Sequence, residues 1–470
     1  MKANNSPGTE VDWLVIFLVL DSLDLKKPVN HFLDAIKEVK LKASTRVYFL
    51  RDTVRHIRDP HPGCTAYNLS INEFVYNETT GITTLNPIEL KGVNTTDAYA
   101  WLEALIKIRG MHQAKFSALI PWSHGAGIGI FNPDTRVLSV QKNELSIIRS
   151  YQRGSHPFEK NKFNCTTAEE TTNSLIIHDL PEDKACLALQ QLFVSEIADG
   201  LGETIRRPVF DIVVMNNCTT QIIDNCYNLH AITRYYLAAI TSIRTNGYDF
   251  AGFIGAINDG SLAPAPDCVL PPYECYLKAV IKTLLEGYER SNPDVSKDTA
   301  LVANDLNEIL QLKPLLNDVC DYFTHNVDTV FPVIEDCLGE FGLPVAGRDA
   351  IDMVRLFDTI QSKLGGDMRG TFDEIYKQLR AFLENIIVDR RTGEHLEATD
   401  FHSCSIYIPV SIVNIISPLF CCQYFRKFAD SQFVRETKWD DFTIQFTRWR
   451  IKKRQAALRI SGTGSGIKNS

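Results

Sequence analysis

Two residues in this chain have the types and settings that acyl-transfer chemistry needs. His124 lies in the run Trp122-Ser123-His124-Gly125-Ala126-Gly127, and Cys218 closes the run Phe210-Asp211-Ile212-Val213-Val214-Met215-Asn216-Asn217-Cys218. A thiolate attacks carbonyl carbon readily, and an imidazole within hydrogen-bond reach can take the thiol proton and return it to a leaving group. Each residue follows an apolar run, 116–121 for His124 and 209–215 for Cys218, that reads as a buried strand. In an open α/β sheet the carboxyl ends of the strands are where loops converge and ligands bind. The two residues are 218 − 124 = 94 positions apart, a separation without chemical consequence once their strands are neighbours. A helix expected to start at Thr219 would set its positive end beside Cys218 and favour the thiolate. Gly125 leaves room for substrate, so its N–H and that of Cys218 could together receive a tetrahedral oxyanion. Spacing alone leaves a second reading open: with 12 cysteines and 11 histidines, a structural Cys and a capping His at two strand ends also arise by chance.

The elements that must hold these residues follow from hydrophobic patterning. The run 13–20, eight apolar residues between acidic neighbours, suits a strand covered on both faces of a mostly parallel sheet. A helical pattern over 32–40 and a β-like run over 46–50 complete a β-α-β unit. Strand-like stretches at 66–71 and 74–76 suggest an edge hairpin ahead of a helix over 96–108. The polar stretch 139–173, with Arg149, Arg153, Lys160 and Lys162, reads as an exposed insertion. Helical patterns follow at 187–205 and 219–229, and again through Tyr236 and Leu237. Gly247-Tyr248-Asp249-Phe250 reads as a loop, and the Pro-rich segment 263–272 as a boundary. Helices are expected around 276–288, 301–327 and 348–387, then a β-run at 403–410 and a final basic helix. The expected organisation is therefore an α/β domain over 11–262, a mainly helical region over 273–460 that returns a strand at 403–410, and a flexible Ser/Gly tail at 461–470.

Composition narrows the function classes. At 470 residues, 44% hydrophobic and 23% charged, the chain has the make-up of a folded globular protein. A net charge of −8 argues against a general nucleic-acid partner. The run 13–20 is too short to span a membrane and follows acidic rather than basic residues, so stable membrane insertion is not expected and the cytoplasm is the expected location. The cysteines include the adjacent Cys421 and Cys422 and show no regular framework, which reads as mostly reduced, buried thiols. His402 and Cys404 with that pair lack a C-x-x-C signature, so no metal is expected there. Gly125, Gly127 and Gly129 lack the spacing of a nucleotide loop. Arg448, Arg450, Lys452, Lys453, Arg454 and Arg459 form either a solvated helix end or a patch for an acidic surface.

Five ordered motifs resemble those of the clostripain family of caspase-like cysteine peptidases. Trp122 to Gly127 resembles the family's tryptophan, His-Gly and glycine motif, and 210–218 its apolar strand ending in Asp-Ala-Cys. Gly247-Tyr248-Asp249-Phe250 resembles Gly-Trp-x-Tyr, Val302-Ala303-Asn304-Asp305-Leu306 resembles the helix start Ser-Ala-Val-Asp-Leu, and Ser405-Ile406-Tyr407-Ile408-Pro409 resembles Ser-Ile-Tyr-Phe-Pro. The resemblance implies a caspase-like, mostly parallel sheet flanked by helices with a smaller, mainly helical C-terminal part. It also implies a His124/Cys218 dyad acting on protein substrates, and cutting within 139–173 to give a two-chain form. No cofactor is expected, although some relatives use calcium. An intracellular protease of restricted specificity fits bacterial defence or cell death. Retention of both Cys218 and His124 argues against an inert interaction module. Where the family has an aspartate two residues before the nucleophile, this chain has Asn216, which weakens the expected preference for Arg or Lys. Asp21, Asp24 and Asp249 either restore acidity to that pocket or solvate strand ends, and Arg244 could favour an acidic or polar residue instead.

Overall fold

The structure is a computed structural model and describes residues 9–21, 25–54, 67–91, 98–122, 209–243, 247–262, 268–294, 296–340, 350–396, 401–408 and 432–462. These residues divide into two compact units, one holding those up to 309 together with Asn385–Cys404, the other Leu310–Glu384 and 405–462.

The first unit is built on a nine-stranded sheet. Its strands are β1 (Thr9–Asp21), β2 (Thr45–Val54), β3 (Tyr67–Asn77), β4 (Ile82–Lys91), β5 (His112–Trp122), β6 (Phe210–Val214), β7 (Thr233–Ala239), β8 (Ala300–Asp305) and, after a short strand β9 (Ala350–Asp352) in the other unit, β10 (Ile387–Thr392). The order across the sheet is β10-β8-β7-β6-β5-β1-β2-β3-β4. The five central strands β7-β6-β5-β1-β2 run parallel, and antiparallel pairs close both sides. β3 and β4 form an edge hairpin.

The continuous apolar runs are strands because both faces of the sheet are covered. Trp13, Val15, Phe17 and Val19 on one face of β1 join Ala118, Ile120 and Trp122 of β5 and Ile212 and Val214 of β6 in one core. Helices α1 (Lys26–Ala35), α4 (Phe250–Asp259) and α5 (Pro272–Ser291) contribute Phe32, Phe250, Phe253 and Leu284 to it. On the opposite face Leu14, Ile16, Leu119 and Val213 are also buried, and α2 (Ala98–Met111) packs against β5. Helix α3 is the short segment Ile223–Leu229. At about 25 cal/mol per Å² of apolar surface removed from water, two-sided burial makes the parallel strands the most strongly held elements.

The second unit packs helices α6 (Leu312–His325), α7 (Val327–Glu340), α8 (Met353–Lys363), α9 (Gly366–Asn385), α10 (Gln432–Glu436) and α11 (Trp439–Gly462) around Phe323, Phe331, Phe357, Phe372, Trp439 and Phe442. β9 pairs antiparallel with β11 (Ser405–Tyr407). In the basic helix α11, Lys453 and Arg450 both approach Glu335 of α7, at 2.6 and 3.6 Å, so part of that charge is neutralised within the unit.

Three local expectations are corrected. Tyr236 and Leu237 belong to strand β7, not a helix, because pairing with β6 and β8 decides a short apolar run that periodicity leaves ambiguous. Residues 302–305 likewise lie in β8, and the helix expected from 301 begins at Leu312. The described residues of the stretches 66–71 and 74–76, expected to pair with each other as the edge hairpin, all lie in β3, and the partner strand is β4. The described cysteines are mostly reduced, as expected: Cys218, Cys226, Cys320, Cys337 and Cys404 are thiols, and Cys268 and Cys275 form a disulfide.

Candidate active site

Parallel pairing in register fixes where the site residues emerge. β5 and β6 pair through Ala118↔Ile212 and Leu119↔Val213, and a bridge joins Trp122 to Asn216, whose N–H donates to Pro121 O at 2.9 Å. Cys218 stands two residues beyond Asn216 on one chain. His124 stands two residues beyond Trp122 on the other and, with Gly125, lies outside the described residues, as do Asp24 and Arg244. β1, on the far side of β5, reaches Trp122 at Val19 and ends at Asp21, so its carboxyl end shares this edge of the sheet.

Below the site, β6 is anchored at its start by a buried carboxylate. Asp211 accepts from Ser117 N at 2.6 Å, from Ser117 Oγ at 3.1 Å and from the Tyr273 hydroxyl. Above it, the turn carrying Cys218 is held by backbone and side-chain bonds. Met215 N donates to Leu237 O at 2.8 Å, Thr219 N to Thr241 O at 2.9 Å and Gln221 N to Ala239 O at 3.0 Å. Thr220 O accepts from Tyr236 Oη at 2.7 Å and Asn225 Nδ2 at 2.8 Å. Thr219 has φ 53°, a left-handed conformation that costs a β-branched residue about 1–3 kcal/mol and persists only where the surroundings over-determine it.

Cys218 is the only partly exposed thiol among the described reduced cysteines. Its Sγ donates to Ile243 O at 3.5 Å, so the resting thiol is directed at a backbone carbonyl. The expectation that Cys218 opens a helix is corrected: residues 219–222 intervene, and α3 is only seven residues long.

The residues proposed for the substrate pocket separate by duty. Asn216 is 3% exposed, and neither its Nδ2 nor its Oδ1 has a hydrogen-bond partner among the described residues, a state that costs about 1–3 kcal/mol for a buried polar group left uncompensated. Its amide presses against Gly247, which has φ +65° and where a Cβ would lie 1.9 Å from Asn216 Oδ1. Asn292 Nδ2 holds the Gly247 carbonyl at 2.9 Å. Tyr248 is buried against Phe250 and Tyr288, and burial pushes its phenol well above its ordinary range. The Asp249 carboxylate accepts from Gly252 N at 2.9 Å and caps α4, a duty different from the strand-end solvation expected as the alternative to a place in the pocket. Ile243, Gln221 and Thr219 had no signal in the sequence, because they act through backbone groups or through contacts made only in the fold.

A family model described as the clostripain family matches residues 183–452, more than half of the chain. That match includes Cys218 and four of the five motif regions but not His124. Among solved structures the chain resembles a secreted C11 cysteine protease from Bacteroides thetaiotaomicron, iotapain, at 12% identity and a TM-score of 0.53, with 91% of this chain and 100% of that one covered. It also resembles an inactive zymogen C11 protease from Parabacteroides distasonis at 14% identity and a TM-score of 0.53, covering 92% and 99%. At these identities the likeness is one of fold. No curated protein matches the sequence.

Proposed function

This chain belongs to the clostripain family of cysteine peptidases, and on that premise we propose that it is an endopeptidase in which Cys218 is the nucleophile and His124 the base. The observation that carries this reading is the Trp122–Asn216 bridge. From that shared level each chain has two residues to travel, a reach of about 7 Å at full extension, before it arrives at His124 or Cys218. His124 would take the Sγ proton as sulfur attacks the peptide carbonyl, and the N–H groups of Gly125 and Cys218 would receive the oxyanion. His124 would then protonate the leaving amine, and water would hydrolyse the thioester. A peptidyl chloromethyl ketone should alkylate Cys218 selectively, as read by peptide mass spectrometry. Equal labelling of the other thiols, or none at Cys218, would overturn the assignment.

The reading extends to specificity. Asn216 is neutral, so a basic side chain before the scissile bond gains a hydrogen bond there but no ion pair. We expect cleavage after Arg to exceed cleavage after Gln by less than about tenfold in a peptide library. Exclusive cleavage after Arg or Lys would sink this and turn attention to Asp21 and Asp24.

Regulation and setting belong to the same proposal. One similar structure is described as an inactive zymogen, which supports latency here too, relieved by self-cleavage within 139–173, a segment outside the described residues. We place the enzyme in the cytoplasm, acting on few protein substrates in bacterial defence or cell death. A toxic phenotype from wild type but not from Cys218→Ala tests that role. One observation favours export instead: the Cys268–Cys275 disulfide suits an oxidising compartment. Cell fractionation decides between the two.

A further inference from the structure

We propose that Cys226 and Cys404 are a redox couple that closes into a disulfide beneath the nucleophile-bearing turn. Cys226 lies in α3 and Cys404 immediately before β11; both are fully buried, and their sulfurs are 3.6 Å apart. Two side-chain amides converge on the pair. Asn304 Nδ2 lies 2.9 Å from Cys404 Sγ and 3.6 Å from Cys226 Sγ, and Gln221 Nε2 lies 3.4 Å from Cys404 Sγ. The oxygens of the same amides, Asn304 Oδ1 and Gln221 Oε1, are buried and have no partner among the described residues. Both amides thus direct their donors at sulfur and leave their acceptors unsatisfied. Donors aimed at a sulfur stabilise its thiolate, the form that attacks an oxidant. No group of three or more metal-ligating side chains occurs among the described residues, so the arrangement is argued as a thiol pair.

With a hydroperoxide as oxidant, the step balances. The Cys404 thiolate attacks one peroxide oxygen, the O–O bond breaks, and the departing hydroxide takes up a proton to leave as water. Cys226 sulfur then attacks the Cys404 sulfenic acid; the S–O bond breaks and the second hydroxide leaves with the Cys226 proton. Two electrons pass from the sulfurs to the peroxide. The sulfurs must close from 3.6 Å to about 2.05 Å. Gln221 lies three residues after Cys218 and already donates to Ser403 O at 3.2 Å; the new bond would in addition fasten α3, which follows this turn, to a segment 178 residues beyond Cys226.

The test uses the full chain carrying Cys218→Ala, which removes the accessible thiol from competition. After hydrogen peroxide, the chain is alkylated under denaturing conditions and digested without reductant. The expected result is a Cys226–Cys404 cross-linked peptide as the main new species, with a melting temperature raised by about 5 °C or more and restored by dithiothreitol. Cys226→Ala should abolish both. Recovery of the two cysteines unlinked, or as separate sulfinic acids, would overturn the proposal, as would an equal rise in Cys226→Ala. If that variant fails to fold, cross-link mapping in the intact pair still decides.

Discussion

Cys218→Ala and His124→Ala each lower kcat/KM for peptide cleavage by about 10³-fold or more while melting within a degree or two of the parent. Without Sγ no acyl-enzyme forms, so Cys218→Ala should be inert at every pH. Without the imidazole, hydroxide replaces the base, and the residual activity of His124→Ala should climb with pH. That split separates the nucleophile from the base, which a loss of activity alone would not do. Activity within tenfold of wild type in either variant would remove that residue from the mechanism. The same pair tests self-processing: wild type should accumulate fragments cut within 139–173 on incubation, and Cys218→Ala should stay intact. Equal fragmentation of both would indicate a contaminating protease, and an intact wild type would reject maturation of this kind.

The second large effect is expected at Gly247. Two costs add there. An Ala at φ +65° costs about 1–2 kcal/mol against Gly, and its Cβ would arrive 1.9 Å from Asn216 Oδ1, an overpacking worth about 1–3 kcal/mol more. Gly260 provides the comparison, because it has φ +78° and nothing within 4 Å of an added Cβ. Gly260→Ala should show the conformational cost alone, whereas Gly247→Ala should be destabilised by about 2–5 kcal/mol and lose activity as Asn216 is displaced. In a double variant with Asn216→Ala the excess should vanish, because the clashing atoms are gone. Equal denaturation midpoints for Gly247→Ala and Gly260→Ala would show that the contact is not limiting.

The parallel core was readable from the residues because strands buried on both faces must be apolar throughout, and 13–20 and 209–215 have little room for polarity. Placing His124 and Cys218 after such runs was enough to assign both to strand ends, and the Trp122–Asn216 bridge shows that the strands are adjacent. β7 was not readable: Tyr235, Tyr236, Leu237, Ala238 and Ala239 suit a helix as well as a strand, and only β6 and β8 on either side settle the matter. The turn after Cys218 was misread as helix for a related reason. Thr219, Thr220 and Gln221 have no strong propensity, and their conformation is imposed by bonds to Thr241, Tyr236 and Ala239. The orphaned Asn216 amide was visible as a substitution but not as an unsatisfied group, since burial and partners exist only in three dimensions.

The short β6 strand has a consequence for how the molecule is made. It has five residues, and its partners on β5 are 94 positions earlier, Ala118 with Ile212. Such a pairing gains nothing until a long loop has closed, which places it among the slow steps of folding. During synthesis β1, β2 and β5 can associate well before Cys218 has left the ribosome, and β6 gains its second neighbour only after Ala239 follows. A nascent chain would therefore carry a preformed β1-β2-β5 platform long before the Cys218 turn is seated beside it, and proteolytic competence would arrive late, when most of the first unit has already been translated.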